Sequence, residues 1–266
     1  MRRLTLIIVF VLIFSISFSG CSLNIEGKTK DIKYKTKDDK ITVYEVPNVS
    51  EILVIEIPDE YEGKPVTVIE DFAAVNLEYV TKIIIGKNIS EIGGWAFTNN
   101  QKLVEFEVDV ENEHFCAVDG VLYSKDKLTL IAYPPAKAQE YTVIDGVETI
   151  RSKAFYKCSK IESVTLPDTV KNIEEKAFFR CEKMTDFAFS SNIEFIGKDA
   201  FAYCTGLQSI EIPKTIVQID EYAFFNCTSL NTVSVDKFEA EIQLGEKWYP
   251  TKNGLEKDDL VINWKE

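Results

Sequence analysis

The residues best suited to chemistry in this chain are its six cysteines, four of which recur at one constant spacing. A deprotonated thiol can bind a metal, form a disulfide or act as a redox group. Zinc sites use cysteine pairs only about two to four residues apart, and no such pair occurs here. The regularly spaced cysteines are Cys158, Cys181, Cys204 and Cys227.

The constant spacing predicts a column of stacked side chains, in which Asn100 holds the same place in an earlier repeat. Thiols and amides can both donate to buried backbone carbonyls, so we expect a structural ladder of mostly reduced thiols. Stacked Cα atoms about 5 Å apart also permit disulfides between neighbours, which is one alternative; metal or redox chemistry is the other. Cys116 lies outside the column and is predicted to be a packed free thiol.

The single histidine, His114, lies in the acidic stretch 109–115 (DVENEHF). One histidine argues against catalytic triads and against metal centres with two histidines. Calcium prefers oxygen ligands, but the stretch lacks the Asp-x-Asp-x-Asp-Gly spacing, so we expect a solvated loop and no metal. The sequence contains no P-loop, Gly-x-Ser-x-Gly or Gly-x-Gly-x-x-Gly motif, and we expect no cofactor.

Acidic residues outnumber basic residues by 43 to 30, which gives a formal net charge of −13. Bulk electrostatics therefore disfavours binding to nucleic-acid phosphates. The same surplus favours a basic or neutral protein partner over a polyanion. Apolar residues make up 45% of the chain, which is enough for a sizeable core.

Residues 1–20 are typical of a secretory signal, because Arg2 and Arg3 precede an apolar run over residues 4–18. The ending Phe-Ser-Gly-Cys21 resembles a bacterial lipobox, whose cysteine is lipid-modified and becomes the mature N-terminus. We therefore predict a lipoprotein signal peptide with lipidation at Cys21. An ordinary cleavage site and an uncleaved membrane anchor are the alternatives.

The polar residues 21–40 are predicted to be a tether. The protein is then expected in the bacterial cell envelope, held on a membrane by its lipid and facing outside the cytoplasm.

An internal repeat defines the elements that must position these residues. Its alanines recur at the same spacing as the cysteines except for one longer interval, between Ala96 and Ala154. Each has an isoleucine four places earlier and an apolar residue seven places later, and most copies place phenylalanine directly after the alanine. The alanines are Ala73, Ala96, Ala154, Ala177, Ala200 and Ala223.

Alternating segments such as Ile210-Glu-Ile212 predict one strand of a parallel sheet in each repeat. The longer interval exceeds two repeats and contains two apolar stretches around Ser-Lys-Asp-Lys. These predict a β-hairpin inserted at about residues 117–134. The end coils of such a stack would be open sheet edges, so residues 41–62 and 236–266 are predicted to be an N-cap and a C-cap.

The columns resemble BspA-type leucine-rich repeats, whose pattern I-x3-A-F-x2-C-x2-L-x2-I-x-L-P is matched by residues 150–167 (IRSKAFYKCSKIESVTLP). The resemblance covers roughly residues 50–236. It implies an α/β repeat fold over residues 41–266, a right-handed leucine-rich-repeat solenoid of 23-residue repeats. Such a solenoid is mostly parallel β, with short helical turns at the Ala–Phe segments. Relatives of this repeat type are associated with adhesion to host matrix proteins or to other cells.

Two rows of outward positions are candidate binding surfaces. The candidate binding face comprises the outward residues of the predicted strands, which are mostly small and polar and lack the aromatic anchors typical of hot spots. Its members are Lys82, Ile84, Glu105, Glu107, Ser163, Thr165, Asp186, Ala188, Ser209, Glu211, Thr232 and Ser234. The second row follows each Ala–Phe pair and either forms an aromatic contact stripe or shields the turns. Its members are Thr98, Tyr156, Phe179, Ala202 and Phe225.

Solenoids present extended surfaces of many equivalent positions. The sequence therefore favours a monomeric, lipid-anchored surface protein that binds another protein or mediates adhesion, without nucleic-acid partners. The alternative is an envelope scaffold or accessory subunit without a host ligand. An enzyme is not expected.

Overall fold

The computed structural model describes residues 32–37, 40–48, 52–252, 255–256 and 261–264. The predicted signal peptide and Cys21 lie outside this part of the chain. Within it, no helix is both long and apolar enough to cross a membrane. The described chain winds into a β-solenoid, in which two rows of strands and one row of turns surround a buried core.

The N-terminal coils contain the strands β1 (Lys33–Lys37), β2 (Lys40–Glu45), β3 (Val54–Ile57), β4 (Glu60–Tyr61), β5 (Lys64–Ile69), β6 (Lys82–Ile85), β7 (Glu91–Ile92) and β8 (Glu105–Val108). Strands β3, β6 and β8 pair in parallel, and so do β2, β5 and β7. The coil spacing therefore brings equivalent residues of successive repeats side by side.

An antiparallel meander interrupts the coils where the sequence predicts a hairpin. It consists of β9 (Phe115–Val118), β10 (Val121–Ser124) and β11 (Thr129–Ala132). Gly120, with φ +74°, forms the first turn, and its carbonyl accepts a hydrogen bond of 2.8 Å from the amide of Phe106 on β8. A Cβ at this glycine would lie 2.8 Å from the Cβ of Glu105, so the turn can approach β8 this closely only without a side chain.

The C-terminal coils contain β12 (Glu140–Thr142), β13 (Thr149–Ile150), β14 (Ser163–Thr165), β15 (Asn172–Ile173), β16 (Asp186–Ala188), β17 (Phe195–Ile196), β18 (Ser209–Ile212), β19 (Gln218–Ile219), β20 (Thr232–Val235), β21 (Gln243–Leu244), β22 (Thr251–Lys252), β23 (Leu255–Glu256) and β24 (Val261–Trp264). The sheets β3-β6-β8, β12-β14-β16 and β18-β20-β24 make up the first strand row. The second strand row comprises β2, β5 and β7, followed by β11, β13, β15, β17, β19 and β21.

The structure adds strands at both ends of the solenoid. Residues 33–37, assigned to the tether by their many lysines, form strand β1 and pair with β2 as an antiparallel edge. The preceding Ile32 is buried, and charged residues on an edge strand are a common protection against further pairing. In the predicted C-cap, β21 and β24 extend the two strand rows by one more coil, with Trp248 buried beside them.

The Ala–Phe segments are turns, so the prediction of short helical turns is wrong for the described residues, whose one helical element is the 3₁₀ helix Glu239–Glu241. In the repeat around Ala154, both Lys153 and Lys157 have positive φ angles, which interrupts any helical run. The amides of these two residues and of Phe155 donate to carbonyls of the next coil. The amides between them close local turns, so the segment is held by coil stacking. The right-handed sense of the coil stays a prediction.

Buried isoleucine, alanine, phenylalanine and cysteine columns fill the core, which divides into two hydrophobic clusters. The N-terminal cluster reaches the meander through Leu122 and Ile131, and the C-terminal cluster reaches it through Tyr123 and Leu130. A continuous ring stack runs through the C-terminal cluster, with centroids 4.7 to 5.2 Å apart. Its members are Tyr133, Phe155, Phe178, Phe201 and Phe224.

Candidate functional site

The predicted cysteine column is a buried row of hydrogen-bond donors, here called the thiol ladder (Asn100, Cys158, Cys181, Cys204 and Cys227). All five side chains are fully buried, and the four cysteines are free thiols. Each Sγ lies near the carbonyl oxygen of the preceding coil, at 3.1 Å for Cys181 to Phe155 and 3.0 Å for Cys227 to Phe201. Asn100 donates in the same manner to the carbonyl of Ala74 in the preceding coil, and also to that of Phe97 in its own coil.

The thiols of the ladder are poorly suited to redox or metal chemistry. Burial raises the pKa of each of the four cysteines above that of an exposed thiol, since a thiolate would lose its hydration. A reactive cysteine needs the opposite shift. Among the described residues, no group of three or more His, Cys, Asp or Glu side chains is placed to hold a metal ion.

The loop around His114 is ordered by an asparagine. The buried Asn112 donates to the carbonyls of Gly86 and Ile89, and its Oδ1 accepts from the amides of His114 and Phe115. The side chain of Cys116, half-buried on β9, donates to Ser124. Both features hold the meander in place.

The candidate binding face lies along the first strand row. Each of its twelve residues is exposed or half-buried, while the residues between them are buried, as on β18 (Ser209, Ile210, Glu211, Ile212). Parallel pairing places equivalent members side by side, for example Ser163 with Asp186 and Ser209 with Thr232. The structure therefore brings these residues together as one continuous surface within each sheet.

The two ends of this face differ in whether their charged side chains are paired. On β6 and β8, Lys82 Nζ lies 3.2 Å from Glu105 and 2.5 Å from Glu107. Hydrogen bonds to these two carboxylates raise the pKa of Lys82. At the other end, Asp186 and Glu211 are exposed and have no ion pair within the described part of the chain, so that end is acidic.

A groove of 780 Å³ lies at the acidic end, where β16 and β18 belong to different sheets. Its wall includes Asp186, Glu211, Asn263 and two aromatic side chains, Phe189 and Trp264. Phe189 stands where the neighbouring repeats have Leu166 or Ile212. It packs edge-on against Phe187 with ring centroids 4.9 Å apart, and remains half-buried. The sequence did not predict this groove, because phenylalanine at position 189 fits the apolar pattern of the core residues in the repeat.

The second candidate row forms an aromatic surface with one correction. Tyr156 and Phe179 are half-buried and stack at 5.3 Å, whereas Ala202 is fully buried. The adjacent Tyr203 takes its place at the surface, with centroids 5.4 Å from Phe179 and 5.6 Å from Phe225. Thr98 is half-buried, and its hydroxyl donates to the carbonyl of Trp95, so the indole of Trp95 continues the row instead.

A parallel β-coil repeated at a constant interval, with a buried Ala–Phe turn and a ladder of thiols, defines a leucine-rich-repeat solenoid. The chain belongs to the family described as BspA type leucine rich repeat region, whose model matches six copies over residues 11–115, 41–134 and 127–245. No curated protein matches the chain.

Several solved bacterial structures are similar to this chain. The pneumococcal vaccine antigen PcpA is 22% identical, with a TM-score of 0.64, over 81% of this chain and 58% of its own. A leucine-rich cell surface protein from Faecalibacterium prausnitzii is 26% identical, with a TM-score of 0.58, over 76% of this chain and 61% of its own. A leucine-rich repeat protein from Eubacterium ventriosum is 16% identical, with a TM-score of 0.60, over 84% of each chain. The chain thus spans less than two thirds of the first two proteins.

Proposed function

We propose that this protein is a non-catalytic binding protein of the bacterial cell envelope, anchored by a lipid on Cys21, which binds another protein or mediates adhesion through its solenoid surface. The observation that carries the proposal is the candidate binding face, where outward side chains repeat coil after coil above a rigid core. The similarity to a cell surface protein of 26% identity supports a surface location.

The acidic end of the face is the best-formed part of the surface. Asp186 and Glu211 are available for charged contacts, and Phe189 and Trp264 supply apolar area beside them. Tryptophan is enriched among the residues that dominate binding energies, and the two carboxylates favour a partner of complementary charge. A basic or neutral protein segment therefore suits this groove.

The proposal is tested by capture with the tagged protein. We expect the immobilised chain to retain extracellular matrix proteins or proteins of foreign cells. A double variant, Asp186→Asn with Glu211→Gln, should retain roughly tenfold less, while the exposed Glu194→Gln on another side of the coil should behave like the wild type. Retention of only the bacterium's own envelope proteins would favour a scaffold. A hydrolase activity that depends on one carboxylate pair would overturn the proposal.

A further inference from the structure

We propose that the row of Ala–Phe turns carries a second binding surface, which takes an acidic polypeptide segment of a partner protein. This inference rests on the proposed binding function and assigns it a second site with its own partner chemistry. The surface, here called the turn-edge stripe, is made of six aromatic side chains in sequence along the coils. They are Phe72, Trp95, Tyr156, Phe179, Tyr203 and Phe225.

The stripe is continuous from the first repeat to the last. Successive ring centroids lie 5.2 to 5.6 Å apart along the whole series. Phe72 is 59% exposed and the other five are half-buried. The coil of the meander contributes no ring, and Trp95 reaches Tyr156 directly across it. An unbroken row of partly exposed aromatic residues is a common feature of protein interfaces.

Basic side chains accompany these rings. Lys153 Nζ lies 4.5 Å from the ring centroid of Trp95, and the Arg180 guanidinium lies 5.0 Å from that of Tyr203 and 5.9 Å from that of Phe179. Lys157 lies 5.5 Å from the ring of Tyr156. One equivalent position, a few residues further along each turn, holds a lysine in three coils: Lys102, Lys160 and Lys183.

These six cations have no carboxylate partner within ion-pair distance in the described part of the chain. By contrast, Lys82 on the candidate binding face and Lys176 and Lys198 on the turn edge are all paired with acids. Three of them, Lys153, Lys157 and Arg180, lie against the rings of the stripe, which places cations without an ion-pair partner beside the rings in a chain with a net charge of −13. This arrangement makes this edge attractive to an anionic partner although the molecule as a whole is acidic.

The environment of the ring faces favours one class of partner. Tyr156 stacks on Phe179 with an interplanar angle of 6°, and Phe72 on Trp95 with one of 17°. The other three successive contacts of the stripe are T-shaped. Cations lie over the rings of Trp95, Tyr156 and Tyr203, and they compete there with a stacked base, since nucleic acids bind aromatic residues through open faces. Carboxylates of a polypeptide can instead approach ring edges and cations together.

The backbone conformation of Tyr203 supports a role for its side chain in binding. Tyr203 has φ +63°, in the left-handed region that is unfavourable for a bulky residue. The equivalent position holds Asn76, Asn99 and Asn226 in three other coils, where asparagine adopts this conformation readily, and Lys157 and Arg180 in the two coils that precede Tyr203. Folding alone does not favour tyrosine here, whereas a contact with a partner does.

The first test measures binding of a fluorescein-labelled, disordered peptide of glutamate with interspersed leucine to the full chain by fluorescence anisotropy. We expect binding that weakens as salt rises, and about tenfold weaker binding by the double variant Lys157→Gln with Arg180→Gln. The matched control is Lys64→Gln with Lys214→Gln, which removes two exposed, unpaired cations elsewhere and should bind like the wild type. A peptide with lysine in place of glutamate should not bind the stripe.

The second test uses Tyr203→Asn to separate binding from stability. We expect weaker peptide binding with a thermal midpoint equal to or above that of the wild type. A lowered midpoint with unchanged binding would mean that the ring serves the fold, and would overturn the assignment.

Three further outcomes overturn the inference. These are absence of peptide binding, preferential binding of a sulfated glycan, and self-association in ultracentrifugation that the Lys157 and Arg180 substitutions abolish. If the captured proteins are still retained while the stripe variants change nothing, this inference fails and the proposed function stands. If the chain captures nothing, the proposed function itself fails.

Discussion

Cysteine in the thiol ladder acts as a small apolar residue with one donor. Its side chain is fully buried, and the Sγ gives a second hydrogen bond to a carbonyl of the preceding coil, for example that of Phe178 from Cys204. The sequence predicts this role because Asn100 shares the column and a donor group. The direction of donation needed the structure, since three of the four thiols donate to a phenylalanine carbonyl that already accepts the amide of its own coil's cysteine, as Phe178 accepts from Cys181.

Buried thiols should resist alkylation in the native protein. On treatment with iodoacetamide, Cys158, Cys181, Cys204 and Cys227 should stay unmodified by mass spectrometry, because they are buried and protonated. The half-buried Cys116 is the internal reference among the described cysteines, and all should react in denaturant. Rapid native labelling of the four ladder cysteines would contradict the structure.

Alkaline pH should destabilise the fold through the same residues. Their pKa values are raised in the folded protein, so their contribution to stability is complete below the pKa of an unfolded thiol and is lost as pH rises through the folded pKa. Above about pH 8.5, the free energy of unfolding should fall by up to about 1.4 kcal/mol per pH unit for each buried thiol. Denaturant titrations of wild type and Cys204→Ala check this, because the variant should show a shallower pH dependence.

Cys21 is predicted to carry the lipid that anchors the protein to a membrane. The substitution Cys21→Ser should move the protein from the membrane fraction to the soluble fraction, since it removes the acylated side chain. Cys116→Ser keeps the lipobox and should remain with the membrane. Unchanged membrane retention of the Cys21 variant would mean that the anchor lies elsewhere.

At the scale of elements, the Ala–Phe turn is the part that sequence reasoning described incompletely. The columns of Ala154 and Phe155 correctly predict a buried turn segment. The left-handed residues on either side were not foreseeable, because lysine, arginine, aspartate and tyrosine occupy those positions as well as asparagine. For the same reason the burial of Ala202, with Tyr203 in its place at the surface, required the structure.

The ring stack inside the turns should carry much of the stability. Phe201 packs between Phe178 and Phe224 with no exposure, so Phe201→Ala should lower the free energy of unfolding by about 3–5 kcal/mol in denaturant titration. Phe225→Ala, which removes a half-buried ring one residue after the stack, is the control and should cost clearly less. Equal losses in the free energy of unfolding would mean that the turn-edge stripe and the ring stack contribute equally to stability.

At the scale of the molecule, the meander separates two hydrophobic clusters. Several contacts nevertheless cross it along the turn edge. The guanidinium of Arg151 donates to the carbonyl of Ile92 at 2.7 Å, Gln101 donates to the carbonyl of Lys157 at 3.0 Å, and Trp95 packs against Tyr156. Stability in solenoids is approximately the sum of repeat and nearest-neighbour terms. The predicted insertion at 117–134 was visible in the sequence as an irregular interval, but its position between two clusters was not.

The two clusters should open separately. Trp248→Ala removes a buried indole from the last coil and should increase hydrogen exchange in the C-terminal coils as far as the meander, while the N-terminal coils keep their protection. The wild type measured in the same way is the reference. A uniform increase over both clusters would show that the solenoid unfolds as one cooperative unit.

The meander also sets how such a chain can change over generations. Leu122 and Ile131 pack on one cluster and Tyr123 and Leu130 on the other, so each set of coils has its own fixed neighbour. A gene duplication or deletion of one repeat unit away from the meander would leave the opposite set and its contacts intact. We therefore expect related chains to differ in length by whole coils on either side of the meander, while the meander itself is kept.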